Sequence, residues 1–353
     1  MYCIKQDDYD DFKCIAGACP KSCCIGWQIV IDEDSLQYYK KYKGEFKDRL
    51  KEGIDFKEGV YRQCDGRCAM LNKDNLCDEQ LALGEEHLCY TCGMYPRHIE
   101  EFDGRNEYSL SLSCPEVARM TVERNTPIDF VDYEDEEEGE EIEDYDYLLD
   151  TKLEDSRNVL YKIARNREIP LFSRMELIRR FAGKLQECLD DDKLFDMDDV
   201  IEEWDNINLT EKAEFESKDI SKLFELEKLE NDWDDTLDAA YKYVKETGAS
   251  KILSGITEKE EQALENVLVS LLYTYYCGAV YDDMIYSKVC LSIYSVEWIY
   301  EIYRSILSKE NLVGEEEKKQ CLIKTIYLYA REVEHSDLNL NALEDWFDET
   351  FIR

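Results

Sequence analysis

Basic residues are scarce in this chain, and histidine is scarcer still. Lysine and arginine total 43 against 82 aspartates and glutamates, a formal net charge of −39. A field of that sign repels phosphate backbones and anionic lipid, so no nucleic-acid partner and no membrane partner is expected. Three histidines argue against histidine-rich metal sites and leave few imidazoles for acid–base work. Proline does not occur after Pro170. The most apolar stretch, Val267 to Val280, carries Tyr and Thr and falls short of the roughly 20 residues a spanning helix needs. The opening residues, MYCIKQDDYDDF, have neither a basic nor an apolar region. A secretory leader is therefore not expected, and a cytosolic (cytoplasmic) location is. A glycine-rich dinucleotide loop, a P-loop, a serine nucleophile elbow and the Cys-x3-Cys-x2-Cys triad of standard radical chemistry are also missing.

Cysteine is what the chain has in abundance. Eleven of the 15 lie within residues 1–114, and Cys188, Cys277, Cys290 and Cys321 stand apart. The isolated four are expected to be small buried hydrophobes. Cytosolic thiols stay reduced, so the dense group points to metal binding or thiol chemistry rather than a disulfide framework. The 353-residue length favours two domains, and 44% hydrophobic residues supply a packed core. Residues 132–146 hold eleven acidic residues and no basic one, a composition that self-repels and stays solvated. The expected organisation is a cysteine-rich metal-binding domain over 1–125, an acidic linker or loop over 126–150 and an α-helical domain over 151–353. The fold class is mainly α (α+β), with short strands in the first part.

Local patterns place some of these elements. Thr257 with Glu260 forms a capping box ahead of the apolar positions Ala263, Leu264, Val267, Leu268, Leu271 and Leu272. Asn341 with Glu344 repeats the signal. Other helical stretches are expected near 156–190, 218–246, 284–308 and 316–334, with breaks at Pro170 and Gly314. Tyr273, Tyr275, Tyr276, Tyr281 and Tyr286 are expected in the core with hydroxyls at the surface, the alternative being an aromatic cage for an amine. Trp27 to Asp32 and Tyr108 to Ser113 read as extended. Asp103-Gly104 between Phe102 and Arg105 is a hairpin signal. That register, continued outward, sets Gly93 opposite Cys114 and Cys92 beside it, with Pro96 confining the arm to an edge or ending it early.

The cysteine spacing runs Cys14-x4-Cys19-x3-Cys23-Cys24, then Cys64-x3-Cys68-x8-Cys77-x11-Cys89-x2-Cys92, then Cys114. Thiolates suit zinc and iron–sulfur clusters alike, and short spacings let one loop present two sulfurs to one centre. Adjacent side chains in extended chain point to opposite faces, so Cys23 and Cys24 reach one centre only in a bend. Spacing alone leaves open which metal is bound and which thiols are spectators.

Three blocks carry a resemblance. CIAGACPKSCCIGWQIVID (14–32), GRCAMLNKDNLCDEQLALGEEHLCYTCGMYPR (66–97) and EYSLSLSCPEVAR (107–119) resemble the flagellin lysine-N-methylase family. That family lies within a wider cysteine-rich group described as zinc- or iron-chelating, with a CxxCxxCC-like motif. The first block here departs from that motif, with spacings of four and three and the vicinal pair last. The resemblance implies Cys19, Cys23, Cys24, Cys68, Cys77, Cys89, Cys92 and Cys114 as metal ligands, with Cys14 and Cys64 as second choices. It implies methyl transfer from S-adenosylmethionine to lysines of flagellin as protein substrate. It also implies an iron–sulfur cluster as the metal centre, with zinc behind it.

Such a reaction needs a neutral amine, and at pH 7 only about one lysine in 2,500 is neutral. Desolvation, a tyrosine or a carboxylate can supply it. Tyr95, Asp78 and Glu79 lie beside the cysteines, with plain structural roles as the alternative. Arg97 and His98 either tune a cluster, hold a carboxylate of the donor or form ordinary surface ion pairs. Two rival functions share the same cysteines: a non-enzymatic zinc- or iron-binding module with a helical partner-binding domain, and a cluster-bearing redox protein.

Overall fold

The computed structural model describes residues 1–135, 141–207, 213–230 and 232–351. It begins with strand β1 (Tyr2–Gln6) and a cysteine-bearing loop. Helices α1 (Glu33–Lys41) and α2 (Lys47–Gly53) follow. Next come two miniature ladders, β2 (Ile54–Asp55) with β3 (Val60–Tyr61) and β4 (Gln63–Cys64) with β5 (Arg67–Cys68). Short helices α3 (Asp78–Leu83) and α4 (Tyr90–Met94) lead to the hairpin β6 (Arg97–Phe102) and β7 (Arg105–Leu110). Helix α5 (Pro115–Glu123) and strand β8 (Phe130–Glu134) close this half. The one larger sheet among the described residues has the order β6-β7-β1-β8, with β1 parallel to β7 and antiparallel to β8.

The Asp103-Gly104 turn forms, and Phe102 faces Arg105 across it. Gly104 sits at φ +75°, backbone that a Cβ disfavours. The ladder ends at Arg97 opposite Leu110, and β6 is an edge strand, as Pro96 requires. The expected juxtaposition of Gly93 with Cys114 does not form. Residues 90–94 are helical instead, and Cys114 is the N-cap of α5. The 108–113 strand is likewise shifted to 105–110, because the Ser111 and Ser113 hydroxyls bond each other at 2.6 Å and turn the chain into α5. Residues 27–32 form a single bridge rather than a strand. Val30 pairs only with Val60, since β3 is too short to extend the ladder, and Asp32 caps α1 through the Ser35 N–H.

The second half is a helical assembly of α6 (Tyr147–Ala164), α7 (Leu171–Asp190), α8 (Asp196–Asp205), α9 (Trp233–Thr247), α10 (Ala249–Leu253), α11 (Glu258–Tyr275), α12 (Ile285–Glu310), α13 (Glu315–Val333) and α14 (Asp337–Thr350). Pro170 caps α7 and Gly314 caps α13, where breaks are expected. The Thr257–Glu260 capping box is present. Asn341 and Glu344 instead lie inside α14, whose N-cap is Ser336, accepting from the Asn339 N–H. The expected 218–246 helix is divided: 220–225 is a 3-10 helix and α9 begins only at Trp233. Between them, the backbone at Glu227 and Leu229 is tied to Asn339 and Glu332, bonds a continuous helix would forfeit. Helix α12 is buried along most of its length and packs against α7, α9, α11, α13 and α14. Even its Lys288, Glu297 and Glu301 are buried, so along that length the helix has no solvent face, as befits a central position. Among the described residues, no helix is long and apolar enough to cross a membrane.

Two cores result. The larger joins Tyr9, Phe102, Leu110 and Val117 to the helices. The smaller gathers Ile29, Ile31, Leu36, Tyr39, Leu50, Ile54, Tyr61 and Met70 with Cys68 and Cys89. The acidic stretch is not a bare linker throughout. Residues 130–134 form β8, anchored by Phe130 stacked on Tyr273 at 4.2 Å, whereas 136–140 lie outside the described residues. Of the four isolated cysteines expected to be buried, Cys277, Cys290 and Cys321 are, and Cys188 is only partly so. The tyrosines divide: Tyr273 donates to the Ile4 carbonyl and Tyr276 meets Ser156, because a buried hydroxyl needs a partner, whereas Tyr281 is exposed and bonds the Glu101 carbonyl at the surface.

Buried charge ties the halves together. Arg105 on β7 makes a two-pronged bond to Asp150 on α6 at 2.8 and 3.0 Å, and Glu107 pairs with Arg157. Arg174 and Glu265, both fully buried, pair at 2.7 Å. Glu265→Ala leaves Arg174 with Glu261 as its remaining carboxylate and should cost about 3 kcal/mol in denaturant unfolding. Thr257→Ala, which removes only a cap, should cost about 1 kcal/mol.

Candidate metal centre

Helix starts and tight turns position the thiols. Cys77, Cys89 and Cys114 are the N-caps of α3, α4 and α5. One turn into α4, Cys92 is brought back to Cys89, and their thiols hydrogen-bond. Cys23 and Cys24 sit in a bend, as a vicinal pair sharing one site requires, and also bond through their side chains. The Cys24 carbonyl accepts the Cys68 N–H at 2.8 Å, joining the first cysteine block to the second.

Six of the thiols open onto one cavity of about 100 Å3: Cys14, Cys19, Cys23, Cys24, Cys77 and Cys114. An adjoining cleft of about 430 Å3 shares Cys14, Cys23, Cys24 and Cys77 and adds Cys92, with Phe12, Trp27, Tyr95 and Arg97 on its walls. Cys68 and Cys89 are buried in the small core against Cys24, Cys77 and Cys92. Of the two second-choice residues, Cys14 faces both spaces, whereas Cys64 is exposed on β4 and lines neither. As the side chains stand, no three His, Cys, Asp or Glu groups among the described residues converge closely enough to hold a metal ion.

The thiols differ in acidity. The hydrogen bond from Cys23 holds Cys24 down to about 7, and that from Cys92 lowers Cys89. Burial pushes Cys68 up to about 12 and Cys77 and Cys114 up to about 11. The donor set is soft sulfur from three chain segments, chemistry that fits zinc or an iron–sulfur centre. A single zinc ion needs its sulfurs drawn close around it, whereas a cluster accepts a wider set.

The neighbouring candidates separate. Asp78 binds Arg49 at 3.0 Å and Asn72 at 3.0 Å. Glu79 is buried, accepts the Tyr61 hydroxyl at 2.8 Å and has its carboxyl raised by burial. Neither lines the cavities. His98 pairs with Glu100 at the surface. Tyr95 lines both spaces, and its hydroxyl meets Ser113 at 3.1 Å.

Against this geometry, sequence comparison is decisive for kinship. Residues 157–352, more than half of the chain, match the FliB lysine N-methylase C-terminal domain. The chain belongs to the FliB lysine N-methylase family. It is 32% identical over 115 residues to the flagellar biosynthetic protein FliU of Salmonella muenchen, covering 30% of this chain and 68% of that protein. It is equally similar to the lysine-N-methylases of Salmonella typhimurium and Salmonella choleraesuis, where the alignment spans only 29% of each relative. No solved structure matches the chain.

The FliB domain reaches the cysteine loops through the end of α13. Arg331 donates to the Ile25 carbonyl and to Glu230, which also holds Lys21 at 2.7 Å. His335 stacks on Trp27 with ring centroids 4.8 Å apart, and its Nε2 meets Ser113 Oγ at 2.7 Å. Neither residue stands out in the sequence as part of this site. The available signal for His335 is its rarity, one of three histidines. Its contact with Ser113 spans 222 residues, beyond the reach of any local pattern.

Burial lowers the His335 pKa from 6.5 to about 4, with Arg331 adding to the shift. Between those values the unfolded chain binds a proton that the folded chain refuses, so this stabilisation is present above pH 6.5 and is lost as pH falls toward 4. Denaturant midpoints of wild type and His335→Gln should therefore converge as pH is lowered from 7.5 to 4.5. A constant difference across that range would contradict a neutral buried imidazole.

Proposed function

We propose that this chain is a protein-lysine N-methyltransferase that takes its methyl group from S-adenosylmethionine, acts on flagellin and carries a Cys-ligated iron–sulfur centre in the cytosol. The match of residues 157–352 to the FliB lysine N-methylase C-terminal domain is the observation that carries this reading. The flagellar and lysine-N-methylase names of its relatives support the choice of substrate. Cys19, Cys23, Cys24, Cys77, Cys92 and Cys114 line the paired cavities and are the first candidates to hold the centre, with Cys68 and Cys89 directly behind them. A donor set of thiols alone is the chemistry of iron–sulfur clusters, with zinc as the alternative. When bound, a cluster supplies iron sites and a tie between the three cysteine-bearing segments.

The chain's own residues account for the remaining requirements. Methyl transfer breaks the sulfonium S–CH3 bond as the N–CH3 bond forms, and the amine must already have shed its proton. Removal from water in the larger cleft, with the fixed Arg97 cation on its wall, disfavours an ammonium and lowers a lysine pKa. A pocket of about 430 Å3 also holds two reactants close enough for in-line approach, where most of the catalytic gain from positioning arises.

Incubation of the full chain with S-adenosylmethionine and flagellin should add methyl groups to flagellin lysines, read by intact mass and peptide mapping. A metal-binding module or an electron carrier would bind no methyl donor and leave flagellin unmodified. Cys68→Ala and Cys89→Ala should each lose metal and destabilise residues 1–120. Full metal content in both variants would refute Cys68 and Cys89 as ligands.

A further inference from the structure

Arg97 is conspicuous for what it does not touch. In a chain with 82 acidic and 43 basic residues, an arginine ordinarily finds a carboxylate. Arg49, Arg105, Arg124, Arg157, Arg174 and Arg331 all do. Arg67 and Arg304 lack one but donate to oxygens, at Asn75 and Gly255. Arg97, among the described residues, meets neither. Its guanidinium lies over the rings of Tyr9 at 5.5 Å and Phe12 at 5.3 Å. Its neighbour His98 does pair, with Glu100, so the absence of an anion is particular to Arg97.

The same residue lines the 430 Å3 cleft beside Cys92, Trp27 and Tyr95. Stacking occupies the faces of a guanidinium and leaves its N–H fork, which matches a carboxylate in two-pronged fashion. The cleft has the volume of a small-molecule site and walls suited to a flat heteroaromatic ring. A ligand that answers both features carries an aromatic nucleoside and an amino-acid carboxylate.

We propose that Arg97 anchors the amino-acid carboxylate of the methyl donor in the cleft it shares with the cysteines. This rests on the methyltransferase reading above. Arg97 is a binding residue here, and its role precedes the chemical step.

The test is calorimetric titration of anaerobically purified full chain with two probes, S-adenosylhomocysteine and methylthioadenosine, which lacks the amino-acid group. Wild type should bind S-adenosylhomocysteine about ten- to a hundredfold more tightly than methylthioadenosine. Arg97→Gln should bring the first affinity down to the second and leave the second unchanged. Arg97→Lys should fall between, because it keeps the charge and loses the fork. If Arg97→Gln fails to fold without its ring contacts, the lysine variant carries the comparison, and wild-type affinity in it overturns the proposal. Tight S-adenosylhomocysteine binding unchanged by Arg97→Gln overturns the anchor and leaves the methyl-donor reading standing. No binding by wild type overturns both.

Discussion

The contact on which the rest of the site depends is the seating of the α13 end against the loop at residues 21–27. Glu230, itself from the strapped segment before α9, bonds Lys21 on one oxygen and Arg331 on the other. Arg331 also donates to the Ile25 carbonyl. The approach is close enough that a Cβ on Gly26 would stand 3.2 Å from Glu230 and 3.4 Å from Arg331, and Gly26 has φ +94°. Any other residue there is strained in backbone and crowded in space. Arg331 is nearly fully buried, so removing Glu230 would leave a desolvated cation, a state far costlier than a lost surface pair. The FliB domain thus braces from outside the loop that carries Cys23 and Cys24, while the residues lining the two cysteine cavities all lie within residues 12–116.

From that anchor the polar order runs toward the thiols. His335 stacks on Trp27, and both His335 and Tyr95 hydrogen-bond to Ser113, the residue before Cys114. Ser113 is fully buried, so its three hydroxyl and imidazole neighbours fix one another's orientation. Burial keeps the imidazole neutral and the Tyr95 hydroxyl protonated. The network therefore presents no charge to the cavity wall, and Arg97 is left as a strong cation of the cleft without an anion of its own.

What the sequence discloses about this arrangement follows the range of each interaction. The Asp103-Gly104 hairpin, the Pro170 and Gly314 breaks and the Thr257 capping box are set by residues within a few positions of each other, and each forms. Extending the hairpin to pair Cys92 with Cys114 fails, because α4 and α5 take over on either side of Pro96 and Ser111. The parallel pairing of Tyr2 with Arg105 and the contact of His335 with Ser113 have no local signature. For the cysteines, spacing marks the dense group but not which of its members line the cavities: Cys14 does, and Cys64, on the miniature ladder β4–β5, does not.

The central claim is that these thiols serve one iron–sulfur centre. It is tested most directly by iron and acid-labile sulfide content, together with a visible spectrum, on the anaerobically purified full chain. The account predicts a brown protein with near-equal iron and sulfide. A colourless protein with stoichiometric zinc and no sulfide would contradict it.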